Sequence, residues 1–241
     1  MRRETTNVLL VLVGGALLKI TLDGTYLRYV KPGVEPYVLI AGAVMISLAL
    51  ISIIRDIRAG QPVEPDHDDG HGHRHGSRSA LLLLLPILAI LLVAPPALGA
   101  DSVTRDDGRT PPAVTQQGVA AFPPLPAGAV VPVSLSEFVT RSVWDSTNSL
   151  NTRVVELTGF VVHDRGTVYV ARLVITCCAA DATPMKVELA GGRIAELADD
   201  QWIHADGVLV AGSATQADEY VPTLSLTAVS EIVQPADPYE Y

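Results

Sequence analysis

Three apolar runs in the first hundred residues constrain this chain more than any other feature. A membrane's hydrocarbon layer is about 30 Å thick and takes about 20 helical residues to cross. Runs from about Val8 to Val30, from Tyr37 to Ile54 and from Ala80 to Leu98 approach that length. The second is free of charge, and the third, "ALLLLLPILAILLVAPPAL", has Pro86 in its interior. The first holds Lys19 and Asp23 at the i, i+4 spacing that lets opposite charges meet on one helix face. An ionisable pair inside a span points to contact with another membrane subunit; the alternative is that Asp23 sits at the outer interface where the span frays. A composition of 49% hydrophobic but only 5% aromatic residues fits apolar residues gathered into spans. A cleaved leader is disfavoured, because Met1-Arg2-Arg3 is followed by no small-residue cleavage site before the second run. The expected fold class is therefore membrane α plus β: three N-terminal transmembrane helices followed by a small mostly-β, OB-like C-terminal domain.

Orientation follows from the basic residues beside the runs, which favour the cytoplasmic side. Arg2 and Arg3 precede the first run, and Arg55, Arg58, Arg74 and Arg78 separate the second from the third, against Arg28 and Lys31 in the short first loop. This puts the N-terminus and the long loop in the cytoplasm and everything after Leu98 outside, in a multi-pass protein of the cell membrane. The expected layout is a transmembrane region over 1–100 with a His-rich loop at 59–79, an extracytoplasmic linker over 101–132 and a β domain over 133–241. From Asp101 onward there are 8 basic and 18 acidic residues. So acidic a segment disfavours nucleic acid as a partner and leaves the lipid bilayer and other proteins.

The stretch after Leu98 is rich in Pro, Gly and Ala and reads as an exposed linker. In "SLSEFVTRSVWD", Ser134 followed by Glu137 forms a capping-box pattern, and Phe138, Val139, Val143 and Trp144 lie at helical spacing. Five β-rich runs follow: "RVVELTGFVVH", "VYVARLVIT", "PMKVELA", "QWIHADGVLVA" and "PTLSLTAVSEIV". Gly159 and Gly207 interrupt two of them, where a missing side chain permits a bulge or bend. Five kinked strands suit a partly open barrel, with a sandwich as the alternative. Trp144 and Trp202 are expected in its core.

Two clusters could carry chemistry. In "EPDHDDGHGHRHG", His67, His71, His73 and His75 alternate with carboxylates on a Gly-rich backbone, a pattern that can converge on Zn²⁺, Ni²⁺ or Cu²⁺. The plainer reading is a solvated polar loop whose charge changes near pH of about 6.5. Cys177 and Cys178, the chain's two cysteines, stand side by side at the end of a strand, with Asp181 three residues on. Two thiolates, a carboxylate and a histidine, His163 or His204, could close a metal site for Zn²⁺ or another transition metal. Buried structural thiols and a redox pair stay open as alternatives. The sequence has neither a CxxC pair nor a catalytic Cys/His signature, which weighs against an oxidoreductase.

"ARLVITCCAADATPMKVEL" followed by "DDQWIHADGVLV" resembles the YcgQ-like family of permease subunits across nearly the whole chain. Arg172, Cys177, Cys178, Asp181, Trp202 and Gly207 are the positions that match that family's pattern. The resemblance implies N-terminal membrane helices, a C-terminal β domain and a larger polytopic permease, of the YcgR or ArsP-like type, as partner. No G-x-x-x-x-G-K-[ST] phosphate loop is present, so the sequence offers no means of driving transport with ATP. The leading expectation is a non-catalytic accessory subunit of a membrane permease complex for a transition-metal or thiophilic substrate. The alternatives are an extracytoplasmic thiol enzyme, with Cys177 or Cys178 as nucleophile and His163 or His204 as base, and a purely structural docking domain.

Overall fold

The computed structural model describes residues 3–58, 95–105, 122–192 and 194–241. They fall into two compact units, 1–96 and 97–241, each described here on its own.

In the first unit, helix α1 (Arg3–Leu22) and helix α2 (Glu35–Arg58) pack together. Their contact is set by two glycines: a Cβ on Gly14 would lie 2.9 Å from the Gly42 carbonyl oxygen, and one on Gly42 would lie 3.0 Å from that of Gly14. Small residues at this crossing let the backbones approach, as helices do where lipid supplies no hydrophobic drive between them. Lys19 and Asp23 pair at 2.8 Å across the end of α1. Gly24, at φ +77, then takes the left-handed conformation that stops the helix and leads into a short 3-10 turn, Thr25–Arg28. Tyr26 of that turn donates its hydroxyl to Glu35 at the start of α2.

The expectation of three N-terminal transmembrane helices followed by a small mostly-β, OB-like domain is overturned by this arrangement. Among the described residues one helix, counted from Pro32 to Arg58, is long and apolar enough to cross a membrane. The first run does not continue as a helix to Val30, because Gly24 in the left-handed conformation ends it; its apolar part is the shorter Thr6–Leu22. Of the third run, Ala80 to Leu98, residues 80–94 lie outside the described residues, and Pro95–Gly99 is not helical. The β part is a seven-stranded mixed sheet with three parallel pairings and helices packed on it. Two of its strands, three and two residues long, are too short to leave a periodic signal in sequence.

The strands of the second unit are β1 (Val130–Pro132), β2 (Val154–Asp164), β3 (Thr167–Val174), β4 (Thr183–Ala190), β5 (Trp202–Leu209), β6 (Thr223–Glu231) and β7 (Tyr239–Glu240). The five long ones close on themselves: β2 pairs with β3, β3 with β4, β4 with β6, β6 with β5, and β5 with β2. Inward alternation fills this ring with Val155, Leu157, Val161, Val170, Val187, Leu189, Ile203 and Leu224, each no more than 2% exposed. Helix α4 (Leu135–Trp144) packs on the same core through Leu135 and Phe138.

Gly159 and Gly207 mark where strands come close. A Cβ on Gly159 would sit 2.5 Å from the Ala171 carbonyl oxygen, and the pairing of β5 with β6 shifts register between Asp206 and Gly207. After Gly159 the alternation of β2 gives way to an unbroken buried run, Phe160, Val161 and Val162. The cause is a second apolar layer on the outer face, where Phe160, Val162, Leu173, Ile175, Trp202 and Tyr239 pack with Ala100 and Val103. Ala100 and Val103 belong to helix α3 (Ala100–Arg105), so the segment after Leu98 is not all exposed linker. Asp200 Oδ1 accepts a 2.6 Å bond from the Ala100 amide and fixes the start of that helix. Residues 106–121 of the expected linker lie outside the described residues. Trp202 is buried, as expected of a core residue, but Trp144, at the end of α4, is 43% exposed.

Candidate metal centre

β3 carries the thiols to their place, and the C-terminal segment holds β3. Tyr239 and Glu240 lie parallel to Leu173 and Val174, and the Ile175 amide donates to the Glu240 carbonyl. Arg172 spreads over the same segment, donating through Nη2 to the carbonyls of Asp237 (2.9 Å) and Tyr239 (3.3 Å). Its guanidinium also stands 5.6 Å from the centre of the Trp202 ring. Arg172 and Trp202 are thus partners in a brace beneath the loop. The Glu240 carboxylate, 7% exposed, accepts bonds of 2.9 Å from the amides of Leu135 and Ser136, so this segment also caps α4.

The loop leaving β3 is shaped by Asp181. Its Oδ1 accepts from the Thr176 amide (3.0 Å) and its Oδ2 from the Cys177 amide (2.9 Å). Ala179–Asp181 form a single 3-10 turn, with the Asp181 amide donating back to the Cys178 carbonyl. Cys178, in extended conformation before that turn, and Cys177 then bring their Sγ atoms to 3.5 Å. Donor atoms of Cys177, Cys178 and Asp181 all fall within 4.8 Å of one another, the one such donor group among the described residues. Cys177 is exposed and Cys178 half-buried.

The electrostatics of the loop decide which chemistry it favours. The Asp181 carboxylate, and after it the neighbouring Cys178 thiol, push the Cys177 thiol up from its ordinary 9.0 to about 11. In return the hydrogen bond from Cys177 holds Asp181 below the usual carboxylate range. Cys177 therefore keeps its proton at neutral pH unless a cation displaces it. A reactive cysteine needs the opposite, a thiolate stabilised by positive charge.

The histidines are engaged elsewhere. His163 Nδ1 lies 2.8 Å from Asp199 Oδ1, and its amide donates to the same oxygen. His204 Nδ1 lies 2.9 Å from the Thr158 hydroxyl and 3.9 Å from Glu156. Neither belongs to the donor group at Cys177, so the expected fourth ligand from His163 or His204 is absent from it. His67, His71, His73 and His75 lie outside the described residues. Glu240, Tyr239 and Asp200, which position the loop and its supports, went unnoticed in sequence. Their partners stand some 65 to 140 residues away along the chain, where no local pattern reaches.

A closed ring of strands with an exposed dithiol loop, joined to N-terminal apolar helices, is the class of protein that the fold and site define. Residues 6–107 match the DUF1980 N-terminal domain and residues 138–241 the DUF1980 C-terminal domain. The chain carries both domains in order and belongs to the DUF1980 family. No curated protein and no solved structure matches it.

Proposed function

We propose that this chain is a membrane-anchored, non-catalytic accessory subunit of a permease complex, whose β unit presents a thiol pair to a transition-metal or other thiophilic ion. The observation that carries this reading is the convergence of Cys177, Cys178 and Asp181 donors within 4.8 Å on an accessible loop. Two sulfurs beside a carboxylate suit Zn²⁺ and softer ions better than hard cations, and a Cys177 thiol that stays protonated until a cation arrives suits binding better than attack.

Anchoring is supported by α2. Of its most apolar window only 11% is buried, and Ile40, Val44, Leu48, Ile51 and Ile54 are all exposed. Such a surface calls for lipid or a membrane partner. A larger polytopic permease is the partner in keeping with the YcgQ-like resemblance. Arg55 and Arg58 in the last turn of α2 favour the cytoplasm for that end. We place the His-rich loop, which follows that end, in the cytoplasm.

Two measurements test the reading. In the full chain in detergent, a thiophilic ion should slow alkylation of Cys177 and Cys178, and Cys177→Ser should remove that ion's binding at the loop; unchanged alkylation would defeat the site. In whole cells of a Cys177→Ser/Cys178→Ser background, a membrane-impermeant thiol label should spare a cysteine placed at Gly70. Labelling at Gly70 would invert the placement. The runner-up, a thiol enzyme, requires turnover of a disulfide or thioester by the purified chain that Cys177→Ser abolishes.

A further inference from the structure

The dithiol geometry goes a step further than affinity for sulfur-seeking ions in general. We propose that Cys177 Sγ and Cys178 Sγ together hold one four-coordinate divalent ion of the Zn²⁺ class, that its other positions are taken by lighter donors from outside the loop, and that Asp181 is a positioning residue rather than a ligand. The proposal rests on the reading above that this loop binds a thiophilic ion.

The sulfur separation selects a bent pair over a linear one. With metal–sulfur bonds of about 2.3 Å, sulfurs 3.5 Å apart subtend about 100° at the ion. With the same bonds a right-angled pair stands about 3.3 Å apart, a tetrahedral pair about 3.8 Å and a linear pair about 4.6 Å. The loop thus lies between the right-angled and tetrahedral spacings and more than about 1 Å short of the linear arrangement that suits two-coordinate monovalent ions, and of the two bent geometries thiolates on Zn²⁺ favour the four-coordinate one. The backbone that carries Cys177 is held in place, because its own amide and that of Thr176 are both tied to Asp181.

Those ties also define the role of Asp181. Each carboxylate oxygen already accepts a backbone amide, so the carboxylate is held by the chain it shapes, beside the Cys177 thiol to which it also hydrogen-bonds, and its charge supports the ion from there. Coordination releases the two thiol protons to water and leaves two thiolates on the ion. With His163 and His204 held by Asp199 and Thr158, the loop supplies two strong ligands where a closed structural site needs four. A half-filled shell on an accessible loop can pass its ion on, because an incoming donor can bind before either sulfur lets go.

The full chain in detergent, titrated with Co²⁺, tests this directly. Only two cysteines exist in the sequence, so sulfur-to-cobalt charge transfer reports on this pair alone and is blind to the His-rich loop. The expected result is a charge-transfer band of two-thiolate strength saturating at one Co²⁺ per chain, intense ligand-field bands of a four-coordinate ion, and displacement by Zn²⁺. Asp181→Asn should weaken binding about 10- to 100-fold while leaving the band positions unchanged, as expected of a group outside the coordination shell. Weak six-coordinate ligand-field bands, one Co²⁺ shared by two chains, or band positions that move in Asp181→Asn would each overturn the proposal. Thiols protected from alkylation by Cu⁺ but giving no sulfur signal with Co²⁺ would overturn it and leave the thiophilic reading standing. Thiols that no ion protects would end both.

Discussion

The two units use apolar residues in opposite directions. In α2 the buried positions are Gly42 and Ala49, and Ile40, Val44, Leu48, Ile51 and Ile54 are exposed. In the strand ring the large inward side chains are sealed, and α3 and β7 pack on a second apolar layer outside it. The difference shows that hydrophobic content alone does not locate a core. What matters is whether small residues or large ones occupy the contact: small ones where neighbouring backbones must touch and the surroundings are apolar, large ones where water must be excluded.

Truncating the same kind of side chain in each unit should expose the contrast. Phe138→Ala, at a fully buried site where α4 meets the ring, should cost about 3–5 kcal/mol, read as a lowered denaturation midpoint of the β unit in the full chain. Gly159→Ala should cost about 1–3 kcal/mol on the same measurement, because the added methyl meets the Ala171 carbonyl and two strands must part. A normal midpoint there would mean that the close approach of β2 to β3 is not needed.

Asp145 gives a smaller, pH-dependent effect. Burial works to raise its pKa, but hydrogen bonds from Ser149 and Thr147 outweigh it and hold the carboxyl well below the ordinary range. A lowered folded value means that the stability Asp145 contributes is complete above the unfolded value of about 3.9 and is lost as pH falls toward the folded one. Asp145→Asn should therefore be less stable near neutrality, and the gap should narrow as unfolding is followed into acid; a constant gap would contradict the assignment. Smallest of all, Ile51→Ala on the outward face of α2, 54% exposed, should shift thermal unfolding in detergent by less than about 0.5 kcal/mol. A larger loss would show that this face is covered within the chain's own assembly.

How much was legible in sequence divides along the same line. The five long strands and α4 announced themselves through alternation and the Ser134 cap, and the Ser134 hydroxyl does accept from the Glu137 amide. Only half of the capping box forms, however, since Glu137 turns to Arg141 and Glu240 supplies the remaining cap. The helical region was over-read because apolar residues such as Tyr26, Leu27 and Val30 resume beyond Asp23-Gly24-Thr25 while the helix does not: one left-handed glycine ends α1. At the site, the neighbouring thiols and Asp181 were visible as adjacent letters. That Asp181 would bind its own loop, and that both histidines would be claimed by other side chains, depends on strand register that the letters do not encode.

The parallel pairing of β7 with β3 carries a consequence for biogenesis. On the ribosome, β3 and the cysteine loop emerge some 65 residues before the segment that must lie beside them. At ordinary elongation rates this is a delay of seconds, during which the edge of β3 and the first turn of α4 lack their partner. A nascent chain stalled before Asp237 should accordingly be cut by protease near Ile175, and one in which Tyr239 and Glu240 have emerged should resist, so that the thiols take up their final spacing only once translation has passed them by.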